Sequence, residues 1–387
     1  MPVINRIADL ADEVTAWRRD FHTHPELMFD VHRTARIVAE KLRSFGCDEV
    51  VTGIGRTGVV GVIRGARGPG GRVVGLRADM DALPITEATG AAYASATPGL
   101  MHACGHDGHT AMLLGAAKYL AETRNFDGTA VVIFQPAEEG GGGGKEMVAD
   151  GLMDRFGIQE VYGMHNWPGT PVGDFAIRPG PMMAAADRFT VTVEGKGGHA
   201  AQPNRCVDTL LVACQIVVAL QSVVSRNTDP HDPAVLSVCS FRAGETFNVI
   251  PQTATLLGTV RTLQPHTQDL MEERIKAVAT ATAAAYGASA TVAYRRGYPV
   301  TFNHPEQTAF MAEIDRSVGR TVRTDIPPEM GAEDFSYMLL ERPGAYIFMG
   351  NGDSASCHHP AYDFDDSAIP FGASLWARIV EQRMPAR

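Results

Sequence analysis

Ten residues of the sequence, MHACGHDGHT at 101–110, contain three histidines, one cysteine and one aspartate. A buried core would not select this composition, because polar groups taken from water without partners cost free energy. A cation-binding site would, since thiolate and imidazole are common metal ligands. Cys104 and His106 flank Gly105, so in a flexible loop both side chains can point toward one centre.

Three further metal-ligating side chains lie close to segments that read as strands. Glu139 follows GTAVVIFQP, His165 lies in VYGMHNWP, and His358 lies in SASCHHPAYDFDD near the end of the chain. Together with Cys104 and His106 they make five ligands of mixed type, more than a structural tetrahedral zinc needs. Five ligands suit two metal ions about 3.5–4 Å apart that share a water molecule. That water would be the nucleophile of a hydrolytic reaction.

Four other charged residues are candidates for a role in the site, and three of them have two possible interpretations. Glu138 is predicted to be the general base, taking a proton from the water while its neighbour Glu139 binds metal. Asp79 and Asp81 either end a strand in a turn or hold the metal ligands by hydrogen bonds. Arg261 either pairs with a substrate carboxylate or forms a salt bridge on a strand surface.

The elements that must position these residues alternate between strands and helices. Helical periodicity in INRIADLADEVTAWRRDF, TARIVAEKLRSFG and HTAMLLGAAKYLAET, with β-rich runs between, predicts an α/β sheet with helices on both faces. Ligands gather at the carboxyl ends of such strands. From about Met183 the pattern changes to that of a compact α+β unit. We therefore predict a catalytic domain of residues 1–183 and 298–387, interrupted by an inserted domain of residues 184–297.

Composition excludes several classes of protein. The 387 residues carry a formal net charge of −10, so no basic field is available to attract nucleic acid. The N-terminus lacks the apolar run of a secretory signal, and no later stretch is expected to be long enough to span a bilayer. These features predict a cytoplasmic protein without a membrane partner. The six scattered cysteines are expected to be reduced, five of them with structural roles.

Several motifs occur together in a recognisable order: RADMDALP, MHACGHDGH, FQPAEEG, GMHNWP, GKGGHAAQP, NVIP and CHHPAYDFDD. They resemble the motifs of the hippurate hydrolase and indoleacetyl-amino-acid hydrolase family, in the metallopeptidase clan that includes aminoacylase and glutamate carboxypeptidase. The resemblance implies a zinc-exopeptidase-like catalytic domain with a mixed sheet between helices. It also implies a ferredoxin-like inserted domain that serves as lid and dimerisation domain. The implied reaction splits an N-acyl amino acid into a carboxylic acid and a free amino acid.

The same resemblance assigns roles to individual positions. It makes Cys104 the ligand shared by two metals and supports the other four ligands and the general base that were predicted from the residues: His106, Glu139, His165, His358 and Glu138. It also favours His358 over the adjacent His359. His199 resembles a histidine that reaches from a partner subunit to steady the oxyanion. Asn248 resembles a residue in a loop that approaches substrate. A homodimer formed through the inserted domain is therefore expected.

The sequence leaves alternatives for the identity of the metal and for the type of reaction. Zinc or manganese is expected, with cobalt and nickel as alternatives, because the thiolate of Cys104 softens a site otherwise made of imidazole and carboxylate. Relatives in the wider clan carry histidine where this chain has Asp79, and an aspartate bridge instead of the thiolate. A dipeptidase or aminopeptidase could use the same metals, but no group for a free α-ammonium is identifiable. A non-catalytic binding protein is disfavoured, because Glu138 and every ligand position are filled.

Overall fold

The computed structural model describes residues 3–66 and 71–386, which form two compact units. The first unit comprises Met1–Met182, Phe302–Pro327 and Asp334–Arg387, and the second comprises Met183–Thr301 and Pro328–Glu333. The short return 328–333 was predicted to be part of the catalytic domain, and this was wrong. Its carbonyl groups at Glu329 and Gly331 accept hydrogen bonds from the backbone N–H of Ala184, at 3.0 and 2.9 Å.

The helices and strands are numbered here in chain order. The α-helices of the described residues are α1 Asn5–Asp9, α2 Ala11–Thr23, α3 His32–Ser44, α4 His106–Thr123, α5 Gly143–Ala149, α6 Leu152–Arg155, α7 Thr209–Asn227, α8 Pro265–Ala285, α9 Pro305–Val318, α10 Ser336–Glu341 and α11 Ile369–Arg383. The strands are β1 Glu49–Ile54, β2 Gly58–Arg64, β3 Arg72–Asp79, β4 Gly128–Gln135, β5 Glu160–Trp167, β6 Asp174–Ala176, β7 Gly180–Met183, β8 Ala185–Glu194, β9 Gly198–His199, β10 Ala234–Ala243, β11 Val249–Ile250, β12 Thr253–Thr262, β13 Ser289–Tyr298, β14 Thr301–Asn303, β15 Thr321–Arg323 and β16 Gly344–Gly350. Short 3₁₀ helices cover Pro203–Arg205 and Asp366–Ala368.

The first unit is built on an eight-stranded mixed sheet in the order β1-β2-β4-β3-β5-β16-β6-β15. Its four central strands, β4, β3, β5 and β16, run parallel to one another. Every residue of β4 and of β16 is buried. Near-continuous burial of this kind is typical of parallel strands covered on both faces. The α/β class and the mixed sheet predicted from the sequence are confirmed.

Helix α4 carries part of the candidate site and is buried along most of its length. It packs against α2, α11 and β3. The N-terminal helix predicted from INRIADLADEVTAWRRDF is in fact two helices, α1 and α2, which meet at Leu10. The N–H of Leu10 bonds to the carbonyl of Ile7, three residues back. This tighter turn interrupts the helix in a way that apolar periodicity does not reveal.

The second unit contains a four-stranded antiparallel sheet in the order β10-β12-β8-β13. Helices α7 and α8 pack against this sheet and against each other. The chain order strand, helix, strand, strand, helix, strand is the ferredoxin-like arrangement. Its core includes Val191, Leu220, Leu256 and Ile275. A separate two-stranded ladder pairs β9 with β11.

Helix α7 is long and apolar enough, by length and composition, to cross a membrane, with a mean hydropathy of 1.6. The prediction that no stretch reaches this length was therefore wrong. One face of the helix, including Val212, Ile216 and Leu220, lies in the core of the second unit. The opposite face leaves apolar side chains exposed, so apolar residues on both faces contribute to the hydropathy.

Asp315 on α9 gives a testable prediction about stability. Its side chain is fully buried, and neither carboxylate oxygen has a hydrogen-bond partner among the described residues. Burial raises the pKa of Asp315 well above its usual value. The folded state therefore holds a proton that the unfolded chain releases above about pH 4, and each further pH unit costs about 1.4 kcal/mol of stability until the folded-state pKa is reached. We expect Asp315→Asn to unfold at higher denaturant concentration than wild type, with an advantage that grows from pH 5.5 to pH 7.5.

Denaturant unfolding at several pH values measures this effect directly. Glu313→Gln is the matched control, because Glu313 is exposed on the same helix and its neutralisation should leave the pH dependence unchanged. Equal pH dependence of Asp315→Asn and wild type would show that Asp315 ionises in the folded protein.

Candidate metal centre and active site

The predicted metal ligands of the first unit come from five places in the chain. Cys104 lies in the loop that ends at Gly105, and His106 is the first residue of α4. Glu139 follows the end of β4, His165 lies within β5, and His358 lies in the loop after β16. Since β4, β5 and β16 run parallel, their carboxyl ends share one edge of the sheet. This edge is where the sequence predicted the site.

Ligand atoms of these residues form overlapping groups in which all atoms lie within 4.8 Å of one another. One group consists of Cys104, His106 and His165, and a second of Cys104, Glu139 and His358. The Sγ atom of Cys104 lies 3.3 Å from Nε2 of His165, and Nε2 of His358 lies 3.2 Å from Oε1 of Glu139. Cys104 is the residue common to both groups. Two atoms bound to one zinc at about 2.0–2.3 Å lie at most about 4.6 Å apart, so each group approaches the size of a metal site.

Two of the histidines are oriented by their other ring nitrogen. His106 Nδ1 lies 2.8 Å from the carbonyl oxygen of Asp81, and His165 Nδ1 lies 2.6 Å from that of Asn166. Each Nδ1–H donates to a carbonyl, which leaves Nε2 as the atom available to a cation. Nε2 of His106 is buried and has no hydrogen-bond partner among the described residues. An unpartnered buried nitrogen is costly, so this atom fits a metal ligand.

The electrostatics of the cluster also favour a cation. Burial alone would lower the pKa of His106, but the carboxylates of Asp79, Asp81 and Glu139 raise it to about 10. Burial alone would raise the pKa of Glu139, but its hydrogen bond with His358 and the charge of His106 keep it lowered. The carboxylates therefore draw positive charge to this site, and a divalent cation can replace the proton on His106.

Asp81 and Asp79 contact the segments that carry the predicted ligands. The carboxylate of Asp81 accepts hydrogen bonds from the backbone N–H groups of Glu138, at 2.9 Å, and Glu139, at 3.1 Å. Asp79 Oδ1 lies 2.6 Å from Nδ1 of His109, and Asp79 also lies 3.8 Å from Nε2 of His106. The geometry therefore suits the hydrogen-bonding interpretation of these two aspartates better than a plain turn.

Glu138 is buried beside members of both donor groups. One of its carboxylate oxygens lies within 4.8 Å of ligand atoms of both His106 and Glu139. The carboxylates of the adjacent residues Glu138 and Glu139 thus lie close to each other and to His106, while the carboxylate of Asp81 accepts hydrogen bonds from both of their backbone N–H groups. This arrangement suits the division of roles expected from the sequence.

Two residues that the sequence did not single out support the site. Arg77 is fully buried and donates to Asp79 at 2.7 Å, to Gln135 at 2.9 Å and to Asp334 at 2.9 Å. Asn166 donates through Nδ2 to the carbonyl oxygen of Cys104 at 2.6 Å. A buried arginine among acceptors and an asparagine beside a ligand histidine are ordinary residues in sequence. Only the fold brings them to their partners.

The remaining candidate residues belong to the second unit. His199 and Asn248 are both exposed and lie close together, because the N–H of Ala200 donates to the carbonyl oxygen of Asn248 at 3.0 Å. Arg261 lies in β12, where its guanidinium donates to the hydroxyl of Thr259 and, at 3.0 Å, to the carbonyl oxygen of Val260. The structure thus pairs His199 with Asn248 and keeps Arg261 on a different strand.

The chain is similar to known proteins over nearly its whole length. The group described as peptidase family M20/M25/M40 matches residues 75–382. Hippurate hydrolase of Campylobacter jejuni is 41% identical over 98% of both chains. Thermostable carboxypeptidase 1 of Saccharolobus solfataricus is 38% identical, over 97% of this chain and 96% of its own. A Bacillus subtilis structure, described as the YXEP protein, a dinuclear metal binding peptidase from the M20 family, superimposes with a TM-score of 0.85 at 33% identity and covers 98% of this chain and 100% of its own.

Proposed function

Because the chain belongs to peptidase family M20/M25/M40 and is a metal-dependent amidohydrolase, we propose that it hydrolyses the amide bond of N-acyl amino acids. The products are a carboxylic acid and a free amino acid. The family assignment confirms the resemblance inferred from the motifs. The name of the Campylobacter jejuni relative, a hippurate hydrolase, supports an acylated amino acid as substrate.

The observation that carries this proposal is the pair of donor groups that share Cys104. Two groups joined by one thiol would suit two divalent cations, and Glu138 lies near His106 of the first group and Glu139 of the second. The dinuclear description of the Bacillus subtilis structure supports the same number. Thiolate, imidazole and carboxylate together favour zinc or manganese, with cobalt and nickel as alternatives.

The chain's own residues then have distinct roles. Bound divalent cations supply Lewis acidity, polarising a carbonyl group and acidifying water. Glu138 accepts the proton of the attacking water and passes it to the nitrogen of the leaving amine. Asp81 holds the backbone on which Glu138 and Glu139 lie. His199 donates a hydrogen bond to the oxyanion, a contribution worth about 100- to 1,000-fold in rate. Substrate-binding roles for Asn248 and Arg261 stay predictions.

A homodimer would supply His199 from the partner subunit, and the second unit has a surface suited to a second copy. Leu210, Leu211 and Val218 on α7 are 44%, 48% and 68% exposed. Strand β10 lies at one edge of the four-stranded sheet, next to α7, and Phe241 on it is also exposed. An exposed edge strand beside apolar side chains is a template for pairing with another chain.

Mixing two defective variants tests the dimer. If His199 acts in trans, a heterodimer of Glu138→Gln and His199→Ala chains has one intact site, because one chain keeps Glu138 and the other supplies His199. Equimolar subunit exchange should then recover about a quarter of wild-type activity. Recovery no greater than the residual activities of the two variants, with exchange verified by native mass spectrometry, would show that His199 acts within its own chain.

A substrate panel tests the proposed reaction. We expect metal-loaded protein to hydrolyse hippurate, N-acetyl or indoleacetyl amino acids and to leave free dipeptides intact, since no group for an α-ammonium has been identified. The protein would be stripped with chelator and reloaded with zinc, manganese, cobalt or nickel, and Glu138→Gln serves as the blank. A higher kcat/KM for free dipeptides than for every acylated substrate would support a dipeptidase or aminopeptidase instead.

A further inference from the structure

Cys357 lies beside the candidate metal centre, and none of the roles described above uses it. The backbone N–H of His358 donates to the carbonyl oxygen of Ala103 at 2.7 Å. This hydrogen bond places Cys357 and Cys104 on adjacent segments, although 253 positions separate them in sequence. Their thiols lie close enough to influence each other. Cys104 is buried and Cys357 is partly exposed, so a small solute reaches Cys357 first.

The surroundings hold the two thiols in place. Asn166 donates to the carbonyl oxygen of Cys104 at 2.6 Å, and Asn166 in turn accepts from the hydroxyl of Tyr362 at 2.8 Å. Cys357 also packs against the main apolar core of the first unit. Cys47 is a partly buried free cysteine of the same unit, and its backbone N–H bonds to the carbonyl of Leu42 at 3.2 Å. Two thiols held close together are arranged for oxidation to a disulfide.

We propose that Cys104 and Cys357 form a redox-modification site, in which hydrogen peroxide oxidises the metal-free protein to a Cys104–Cys357 disulfide. The sulfur of Cys357 attacks one peroxide oxygen, an S–O bond forms as the O–O bond breaks, and sulfenic acid and water result. The sulfur of Cys104 then attacks the sulfenic sulfur, an S–S bond forms as the S–O bond breaks, and a second water leaves. Two thiols lose two protons and two electrons, and one peroxide is reduced to two waters.

The disulfide would remove the residue that both donor groups share. A disulfide sulfur carries no thiolate charge, so neither group would keep its sulfur ligand. Bound metal should conversely protect the pair, because it occupies the Cys104 sulfur. This link to metal binding rests on the proposed function, whereas formation of the disulfide does not.

The experiment compares chelator-treated and zinc-loaded full-length protein after exposure to hydrogen peroxide. Intact mass and peptide mapping under non-reducing conditions identify the bond. We expect the metal-free protein to lose about 2 Da and to yield a peptide pair joining Cys104 to Cys357, and dithiothreitol to reverse both changes. Zinc-loaded protein should react at least tenfold more slowly. Zinc uptake after oxidation should be lost and should return on reduction.

Two variants make the outcome specific. Cys47→Ser should behave as wild type, because Cys47 is not part of the pair. Cys357→Ser should yield no cross-linked peptide, and prolonged peroxide should carry its Cys104 to acids that dithiothreitol does not reduce. Absence of the 104–357 peptide pair from oxidised metal-free wild type would overturn the proposal. If the pair forms while zinc uptake is unaffected, the redox site stands and the shared-ligand role of Cys104 fails.

Discussion

Glu138→Gln should lower kcat by about 100- to 10,000-fold and leave metal content unchanged. The amide keeps the shape of the side chain but cannot accept the proton of the attacking water, and general-base catalysis contributes rate factors of this size. The backbone N–H groups of Glu138 and Glu139 bond to Asp81 through main-chain atoms, so the loop itself should not move. Steady-state kinetics on an accepted acylated substrate, together with elemental analysis of the purified variant, measures both quantities.

The neighbouring residue provides the matched control. Glu139→Gln changes the same functional group one position along the chain, but Glu139 belongs to the donor group with Cys104 and His358. This variant should lose metal affinity, and added metal should restore part of its rate. Added metal should not restore Glu138→Gln. If Glu138→Gln instead loses metal, or if its rate stays within a factor of ten of wild type, Glu138 is not the general base.

Cys104→Ala should bind neither metal ion and should be inactive. The shared thiol is the third donor of both groups, and its removal leaves two donors in each, fewer than the three protein ligands usual in catalytic zinc sites. Metal content should fall from about two ions per chain to none. Equilibrium dialysis against zinc, followed by elemental analysis, gives the stoichiometry.

Two further substitutions serve as comparisons for Cys104→Ala. Cys47→Ala removes a thiol from the same unit and should retain wild-type metal content. Cys104→Asp replaces the thiolate with a carboxylate, which can also bridge two cations, and should bind more metal than Cys104→Ala, with manganese gaining relative to zinc. Retention of one tightly bound ion by Cys104→Ala would mean that the sulfur serves only one of the two groups.

Much of the catalytic unit is predictable from sequence because its features are local. Apolar runs such as those of β4 and β5 identify buried parallel strands, and polar residues just beyond them mark the edge where ligands meet. The cluster of histidine, cysteine and aspartate at 101–110 is recognisable from its composition alone. These rules suffice to bring Glu138, Glu139 and His165 to one edge of the sheet, where the structure places them.

The supporting contacts were not predictable, because they join distant parts of the chain. Arg77 reaches Asp334 across 257 positions, and nothing near either residue reveals the pairing. The proximity of Cys104 and Cys357 depends in the same way on where the loop after β16 meets the segment of Ala103. The assignment of 328–333 failed for a related reason: a six-residue segment without periodicity takes its place from its hydrogen-bond partners, not from its own composition.

The division of the first unit into three stretches of chain has a consequence for its synthesis on the ribosome. Cys104, His106, Glu139 and His165 are translated before the second unit, whereas His358 is translated after it. The N–H of Ile4 bonds to the hydroxyl of Ser374, and α11 packs against α1, α2 and α4, so these helices complete their packing only after α11 has been synthesised. Domains fold as units during translation, and the inserted domain is free to fold first. The nascent chain therefore carries an incomplete set of the predicted ligands until His358 has been synthesised, and complete loading with metal would follow synthesis of the second unit.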